Sequence, residues 1–349
     1  MSDPVPSASA ATTPLRERVP APGEVVLPEG CEGVRWRPAV AGDAAAITGL
    51  LAAMSTRDHP SWSETLEEIE EELAHSWIDL ERDTVVAFAD DGTMVAHGIV
   101  IETPEPESIV RVFLHGGVHP QHRGRGLGRA MLAWQLARGH ERLSTSEHRM
   151  PGWLLSSAAD RAPEHGALLR AAGFTAARYF TTLEAALDVE LPDRPLPAGV
   201  RVVPFSAELS ERVRLAKNAS FADHWGSQPV VAESWDANVA LPTFRADLSR
   251  VALVGEQVVA FATVEVNEED WPRQGFTSIY IGLVGTLREH RGRGLAGALL
   301  AEVMRASRQA GLERCVLDVD TENPTGALGV YTRLGFTATD RDVAYAIEY

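Results

Sequence analysis

Apolar residues recur along the chain with two periods, and the order in which these periods succeed one another is used twice. Alternation over Val34-Arg35-Trp36-Arg37, and again over Val200-Arg201-Val202-Val203, predicts a short opening strand in each half. Helix-like sequence follows, from Asp43 to Met54 and from Ser206 to Ser220. Next come paired strand candidates, Val85–Ala89 with Met94–Glu102 and Val251–Val254 with Val258–Val266. Asp91-Gly92 and Gly255-Glu256 separate the pairs, as hairpins require. A fourth strand, Ile109–Val118 or Thr277–Thr286, runs into a glycine-rich turn. Beyond that turn Leu127, Met131 and Trp134, or Leu295, Leu299 and Val303, fall on one helical face. Gly311 reads as the C-cap of the second of these helices. Strands at Trp153–Ser156 and Cys315–Val319, a further helix, a Gly-Phe pair and a final hairpin complete each half.

The glycine turn is the clearest mark of the repeat. His122-Arg123-Gly124-Arg125-Gly126-Leu127-Gly128 returns as His290-Arg291-Gly292-Arg293-Gly294-Leu295-Ala296, and Gly173-Phe174 returns as Gly335-Phe336 at nearly the same offset. Two landmarks in one order at one distance imply one fold used twice. The repeats span residues 34–188 and 200–349. The three prolines of residues 189–199 read as a semi-rigid linker. Residues 1–33 are rich in Pro, Ala and Ser and are expected to stay disordered.

Composition narrows the function classes. A chain of 349 residues, 45% apolar, is long enough for two cores. Its formal net charge of −17 argues against nucleic acid or an anionic membrane as the main partner, although a local cradle can still hold an anion. The two cysteines, Cys31 and Cys315, form no CxxC pair, and no leader or long apolar span is evident, so the expected compartment is the cytoplasm. The eleven histidines show no HExxH-like spacing, and no metal is expected.

A strand that feeds a glycine turn opening a helix is an anion trap. The first helical N–H groups lack internal partners, the helix dipole is positive there, and glycine lets a phosphate approach without meeting a Cβ. A lone Arg-Gly-Arg-Gly could as well be a solvated loop. Its recurrence between a strand and an amphipathic helix in both halves favours a pyrophosphate site.

The pattern Arg-x-x-Gly-x-Gly/Ala closely resembles the acyl-CoA pyrophosphate motif of the GCN5-related N-acetyltransferase (GNAT) superfamily, and no GxGxxG or GxxxxGK[ST] pattern is present. Val118-His119-Pro120 is similar to the Val-x-Pro that precedes the family's loop, whereas the second copy has Thr286-Leu287-Arg288 and no proline. The resemblance covers nearly the whole chain beyond residue 33. It implies an α/β (α+β) class fold: two tandem domains, each with a mixed, mostly antiparallel sheet flanked by helices. It also implies acetyl-CoA as co-substrate, with a cradle of Val118, Arg123, Gly124, Arg125, Gly126, Leu127 and Gly128 in the first copy. In the second copy the cradle is Val284, Gly285, Thr286, Arg291, Gly292, Arg293, Gly294, Leu295 and Ala296.

A second family signature favours the second copy. Asn323, Ala327, Tyr331 and Gly335-Phe336 fall at the family's spacing. The resemblance assigns Asn323 to the pantetheine arm and Tyr331 to protonation of the departing thiolate. Tyrosine suits that role because it is protonated at neutral pH, although Tyr331 could also be a helix residue packed on the sheet. The same ruler puts Leu169 and Arg161 at these positions in the first copy. The first domain is therefore expected to be non-catalytic, with His165 one turn away as a displaced acid at best. The amine must lose a proton before it attacks. Glu265 and Tyr280 are the candidates to take it, and Glu268, Glu269 and Asp270 are weaker ones.

The family's fourth strand splays at a bulge, and a backbone N–H near Val284–Gly285 would polarise the thioester carbonyl. Asn218–Pro229 reads as the acceptor region, with Ser55–Pro60 its shorter counterpart. Among tandem members the organisation is similar to that of the mycothiol synthases, which acetylate the cysteinyl amine of a small glycoside. The fourth-strand base position here holds Tyr280 rather than Glu. The reading is an N-acetyltransferase for a primary amine of a small molecule. A non-catalytic acyl-CoA sensor and a protein or peptide N-acetyltransferase are the alternatives.

Overall fold

The computed structural model describes residues 13–29, 31–59, 63–191, 194–322 and 327–349. In the first half the elements are α1 (Leu15–Arg18), β1 (Val34–Arg37), α2 (Ala44–Asp58), α3 (Leu66–Ala74), α4 (Leu80–Asp83), β2 (Thr84–Ala89), β3 (Met94–Glu102), β4 (Val110–Val118), α5 (Leu127–Ser144), β5 (Gly152–Ala159), α6 (Pro163–Ala171) and β6 (Thr175–Ala186). The second half holds β7 (Arg201–Pro204), α7 (Ala207–Phe221), α8 (Ala232–Ala240), β8 (Arg250–Val254), β9 (Gln257–Glu265), α9 (Trp271–Gln274), β10 (Ser278–Thr286), α10 (Leu295–Gln309), β11 (Arg314–Asp320), α11 (Ala327–Thr332) and β12 (Thr337–Glu348). The expected α/β repeat is thus present twice, with each glycine turn between a strand and a helix.

The chain divides into two units, one running through Ala177 and completed by Val343–Tyr349, the other Arg178–Asp342. These limits do not coincide with the repeats at 34–188 and 200–349. The reason lies in the last strands. The hairpin expected at the end of each repeat does not form, because neither Thr175–Ala186 nor Thr337–Glu348 contains a Gly, Pro or Asn to reverse the chain. Each is instead a single strand of 12 residues, and each contributes to both units.

In unit 1 the strand order is β1-β2-β3-β4-β5, followed by the end of β12. Gly152 and Tyr349 exchange N–H···O bonds of 3.1 and 2.8 Å. In unit 2 the order is β6-β11-β10-β9-β8-β7. β4–β5 and β10–β11 are parallel, and the pairs built from β1 to β4, from β7 to β10 and from β6 with β11 are antiparallel.

Helices cover both faces of the sheet. In unit 2, Val251 and Leu253 of β8 pack with α7 and α8, through Val213 and Trp235. Ala252, between them, faces Leu295 and Leu299 of α10, as the two-residue strand period requires. Leu295, Leu299 and Val303 are buried, as are Leu127, Met131 and Trp134 of α5. Gly311 adopts φ +84° at the end of α10.

The stretch expected to be a disordered tail departs from that expectation at residues 15–19. Leu15 is fully buried, lies against Leu143 and the Gly152 backbone position, and donates its N–H to the His148 carbonyl. Two apolar anchors, Leu15 and Val19, are enough to dock a short helix whose composition alone reads as polar linker.

The C-terminal segment is integral to unit 1. Tyr345 is 4% exposed, and its hydroxyl accepts a 2.6 Å bond from Arg170. Tyr345→Ala should destabilise the protein by about 3–5 kcal/mol, read as a lowered unfolding midpoint in urea. A change below about 0.5 kcal/mol would show that this segment only lies on the surface.

Candidate active site

The two glycine turns have the same local geometry. A single 3-10 turn, Pro120–His122 or Arg288–His290, follows the strand, so the missing proline in the second copy leaves the turn intact. Gly124 and Gly126 have φ of +78° and +89°, Gly292 and Gly294 +72° and +79°. These are left-handed conformations that L side chains avoid. Gly126 and Gly294 are the N-caps of α5 and α10, and neither helix start is capped by a side chain. The first arginine of each turn braces it. Arg123 Nε donates to the Val118 carbonyl at 3.1 Å, and Arg291 Nε to the Thr286 carbonyl at 3.2 Å. Arg125 and Arg293 reach back to His122 and His290, at 3.0 and 3.3 Å.

In unit 2 this turn opens into a cleft of about 670 Å³. Strands β10 and β11 pair only over Ser278–Tyr280 with Arg314–Val316, and β10 shifts register on β9 between Tyr280 and Leu283. A bulge of this kind bends the strand and ends pairing, so β10 and β11 diverge and the cleft fills the wedge between them. Tyr280, Val284, Gly285, Thr286, Arg291, Gly292, Gly294, Leu295, Ala296 and Tyr331 all line it. Gly285 has no room for a side chain, since a Cβ there would sit 2.4 Å from Phe261 and 2.7 Å from Ser220 Oγ.

Tyr331 is on α11, 9% exposed, with its ring edge-on to Phe336 at 5.8 Å. Burial pushes its hydroxyl up to about 12. Tyr280 donates to Asp318 Oδ2 at 2.9 Å. Glu265 is the cross-strand partner of Tyr280, and its Oε1 lies 2.5 Å from where a Cβ on Gly282 would stand, so the absence of a side chain at 282 gives this carboxylate its place beside the bulge. Asp270 is buried and bonded to Arg273 at 2.6 Å; neither it nor Glu268 and Glu269 lines the cleft. Asn323 lies outside the described residues.

Sequence reasoning did not single out several residues of the cleft wall, among them Phe180 and Asp318. Phe180 comes from β6, a strand that by sequence belongs to the first repeat. Ser220 and His224 fall in the region read as the acceptor side, and burial pushes the His224 imidazole below its usual value. Asp318 lines the cleft on β11. Its signal was available, since it is a carboxylate in the otherwise apolar run Cys315-Val-Leu-Asp-Val319.

Unit 1 has the same turn but a smaller cavity, about 290 Å³. Two side chains staple β4 where it parts from β5. Past the last β4–β5 pair, Phe113 with Leu155, Ser156 Oγ donates to the Leu114 carbonyl at 2.9 Å and Gln135 Nε2 to the His115 carbonyl at 2.6 Å. Arg123 is held by Asp58 and by Glu164, at 3.5 Å from the latter, which puts two carboxylates in the cavity wall beside the anion turn. Leu169, at the position of Tyr331, is fully buried. Desolvation lowers the His165 imidazole below its ordinary value, so it stands neutral at pH 7 and is a weak source of protons.

A helix N-terminus at a glycine turn, feeding a wedge between splayed parallel strands, defines an acyl-CoA-type acyltransferase domain, here used twice. The model described as "Acetyltransferase (GNAT) family" matches residues 51–150 and 214–336. A mycothiol acetyltransferase of Thermobispora bispora is 32% identical over 257 residues, covering 73% of this chain and 81% of the relative. One from Frankia casuarinae is 33% identical over 237 residues, with coverages of 65% and 66%. The solved structure of a GCN5-related N-acetyltransferase from Sphaerobacter thermophilus aligns with a TM-score of 0.67 at 25% identity, covering 93% of this chain and 97% of that one. The chain belongs to the acetyltransferase (GNAT) family, with the domain in tandem.

The two cavities predict unequal affinity for the donor. Calorimetric titration with CoA should give one equivalent per chain, and Ala296→Trp, which fills the second cradle, should remove it. Two equivalents in the parent protein would show that the Ser156 and Gln135 staples yield to the ligand.

Proposed function

We propose that unit 2 transfers an acetyl group from acetyl-CoA to a primary amine of a small molecule by direct attack, and that unit 1 is non-catalytic. The observation that carries this reading is the placement of Tyr331 in the wall of the cleft into which the Arg291–Ala296 turn opens. The diphosphate of CoA would rest on the α10 N-terminus. The pantetheine arm would follow the edge of β10 at Val284–Thr286 by strand addition, with Asn323 assigned to it by resemblance. A main-chain N–H at Val284–Gly285 would polarise the thioester carbonyl. The neutral nitrogen attacks the carbonyl carbon, a C–N bond forms, and the C–S bond breaks as the sulfur takes the Tyr331 proton. The proton shed as the nitrogen becomes an amide returns Tyr331 to its starting form. Tyr280, which lines the cleft, and Glu265, which is beside the bulge but not in the cleft lining, are the candidates to deprotonate the incoming amine. A cleft of about 670 Å³ suits a small acceptor. The name shared by the curated relatives makes the cysteinyl amine acetylated in mycothiol formation the first acceptor to assay.

Tyr331→Phe should lower turnover at least about tenfold and leave acetyl-CoA affinity within a few-fold. Normal turnover would remove Tyr331 from the mechanism. The pH profile follows from the sign of the shift. A hydroxyl pushed up to about 12 keeps its proton at every lower pH, so kcat/KM for the amine should rise and then level between about pH 6 and about pH 10, where amines lose their proton. A fall within that interval, absent in Tyr331→Phe, would mean that Tyr331 ionises there.

A further inference from the structure

Tyr280 presents a contradiction that the geometry resolves. It lines the cleft on the acceptor side, where a group must take a proton from the amine. Yet burial, reinforced by Asp318, Glu265 and Asp342, pushes its hydroxyl far above the ordinary tyrosine value. A tyrosine in that state never ionises near neutral pH, so it is no base by itself. It can take a proton only if it passes its own proton on in the same event.

The structure supplies the receiver. The Tyr280 hydroxyl donates to Asp318 Oδ2 at 2.9 Å, and the other carboxylate oxygen is fixed by Thr182 Oγ1 at 2.6 Å. Tyr280 leaves β10 at the last residue paired with β11, and Asp318 sits two residues beyond its partner Val316. The dyad therefore spans the wedge at its closed end. With its proton donated to Asp318, the Tyr280 hydroxyl oxygen acts toward a bound N–H as an acceptor, and Tyr280 lines the cleft that the amine would enter. Asp318 itself is solvent-exposed, so a proton arriving there can leave to water.

We propose that Tyr280 and Asp318 act as a proton relay for the acceptor amine, with Tyr280 the group that touches it and Asp318 the positioning residue and proton sink. An N–H⁺ proton passes from the bound ammonium to Tyr280 Oη, the Tyr280 proton passes to Asp318 Oδ2, and the nitrogen keeps its electron pair for attack. Asp318 then releases the proton to water. This deepens the reading given above and rests on it, but it assigns the base to the dyad rather than to Glu265.

Two measurements test it. The first uses benzylamine, glucosamine and cysteine methyl ester as acceptors, with product detected by mass. Asp318→Asn should lower kcat/KM for the best of them about a hundredfold at neutral pH, with the defect shrinking at pH values above the acceptor's own pKa and CoA affinity unchanged within about threefold. Tyr280→Phe should do the same, and the double variant should be no worse than the worse single one. A loss under threefold, or one equal at every pH, would overturn the relay.

The second measurement needs no turnover. The chain has five tyrosines, so ¹³C-labelled tyrosine gives few resonances, and Tyr280→Phe assigns the one in question. At neutral pH its ring-carbon shift should change in Asp318→Asn, because the hydroxyl loses a charged acceptor at 2.9 Å; an unmoved resonance would sink the dyad even where the enzyme is active. If none of the probes is acetylated by the parent protein, the acetyl-transfer reading loses its support, and the resonance decides the dyad alone.

Discussion

The site proposed in unit 2 depends on one interruption in backbone pairing. Parallel strands ordinarily satisfy each other's N–H and C=O groups along their whole length. Here β10 and β11 stop after Tyr280 and Val316, because the register shift on β9 turns β10 away. The divergence creates the cleft, exposes strand edge for a ligand to pair with, and aims β10 at the glycine turn. It also sets the closed end of the wedge, where Tyr280 and Asp318 meet. A sheet paired to its ends would have the same core and no site.

The two units show how little separates an open wedge from a closed one. Both keep the left-handed glycines, the brace from arginine to the preceding strand, and an uncapped helix start. In unit 1 the freed carbonyls of β4 are satisfied by Ser156 and Gln135, two ordinary side chains that replace a ligand's donors. Leaving such carbonyls buried and unpaired would cost about 1–3 kcal/mol each, so these two bonds stabilise β4 in unit 1 without a ligand.

Legibility in the sequence followed the locality of the signal. The Arg-Gly-Arg-Gly turns and the helix faces of α5 and α10 are read from residues within one turn or one heptad of each other, and each turn does fall between a strand and a helix; Tyr331 was reached by resemblance, from Asn323 eight residues before it and Gly335-Phe336 after it. The bulge in β10 was reached only by resemblance; nothing in Tyr280-Ile-Gly-Leu-Val284 marks it except Gly282, which a strand tolerates for several reasons. Phe180 and Thr182 were beyond reach, because their strand crosses from one repeat to the other unit and periodicity carries no information on partners. The docking of Leu15 was hidden for a related reason. Composition averages over a window, whereas one buried leucine and a few backbone bonds suffice to hold a short segment.

A net charge of −17 and a proposed polyanion site look inconsistent until the charge is placed along β10. Arg291 and the α10 N-terminus lie at its C-terminal end, past Thr286, whereas Glu265 and Asp318 lie beside Tyr280. Six residues of strand at about 3.3 Å each put roughly 20 Å between these ends, beyond the ~8 Å screening length of physiological salt. The acidic end therefore does little to repel the diphosphate, and the basic end does little to repel an incoming ammonium. On the proposed reading, donor and acceptor would enter regions of opposite sign within one cleft, with the thioester between them. Net charge governs what the whole surface attracts; the direction of one bent strand governs what the site does.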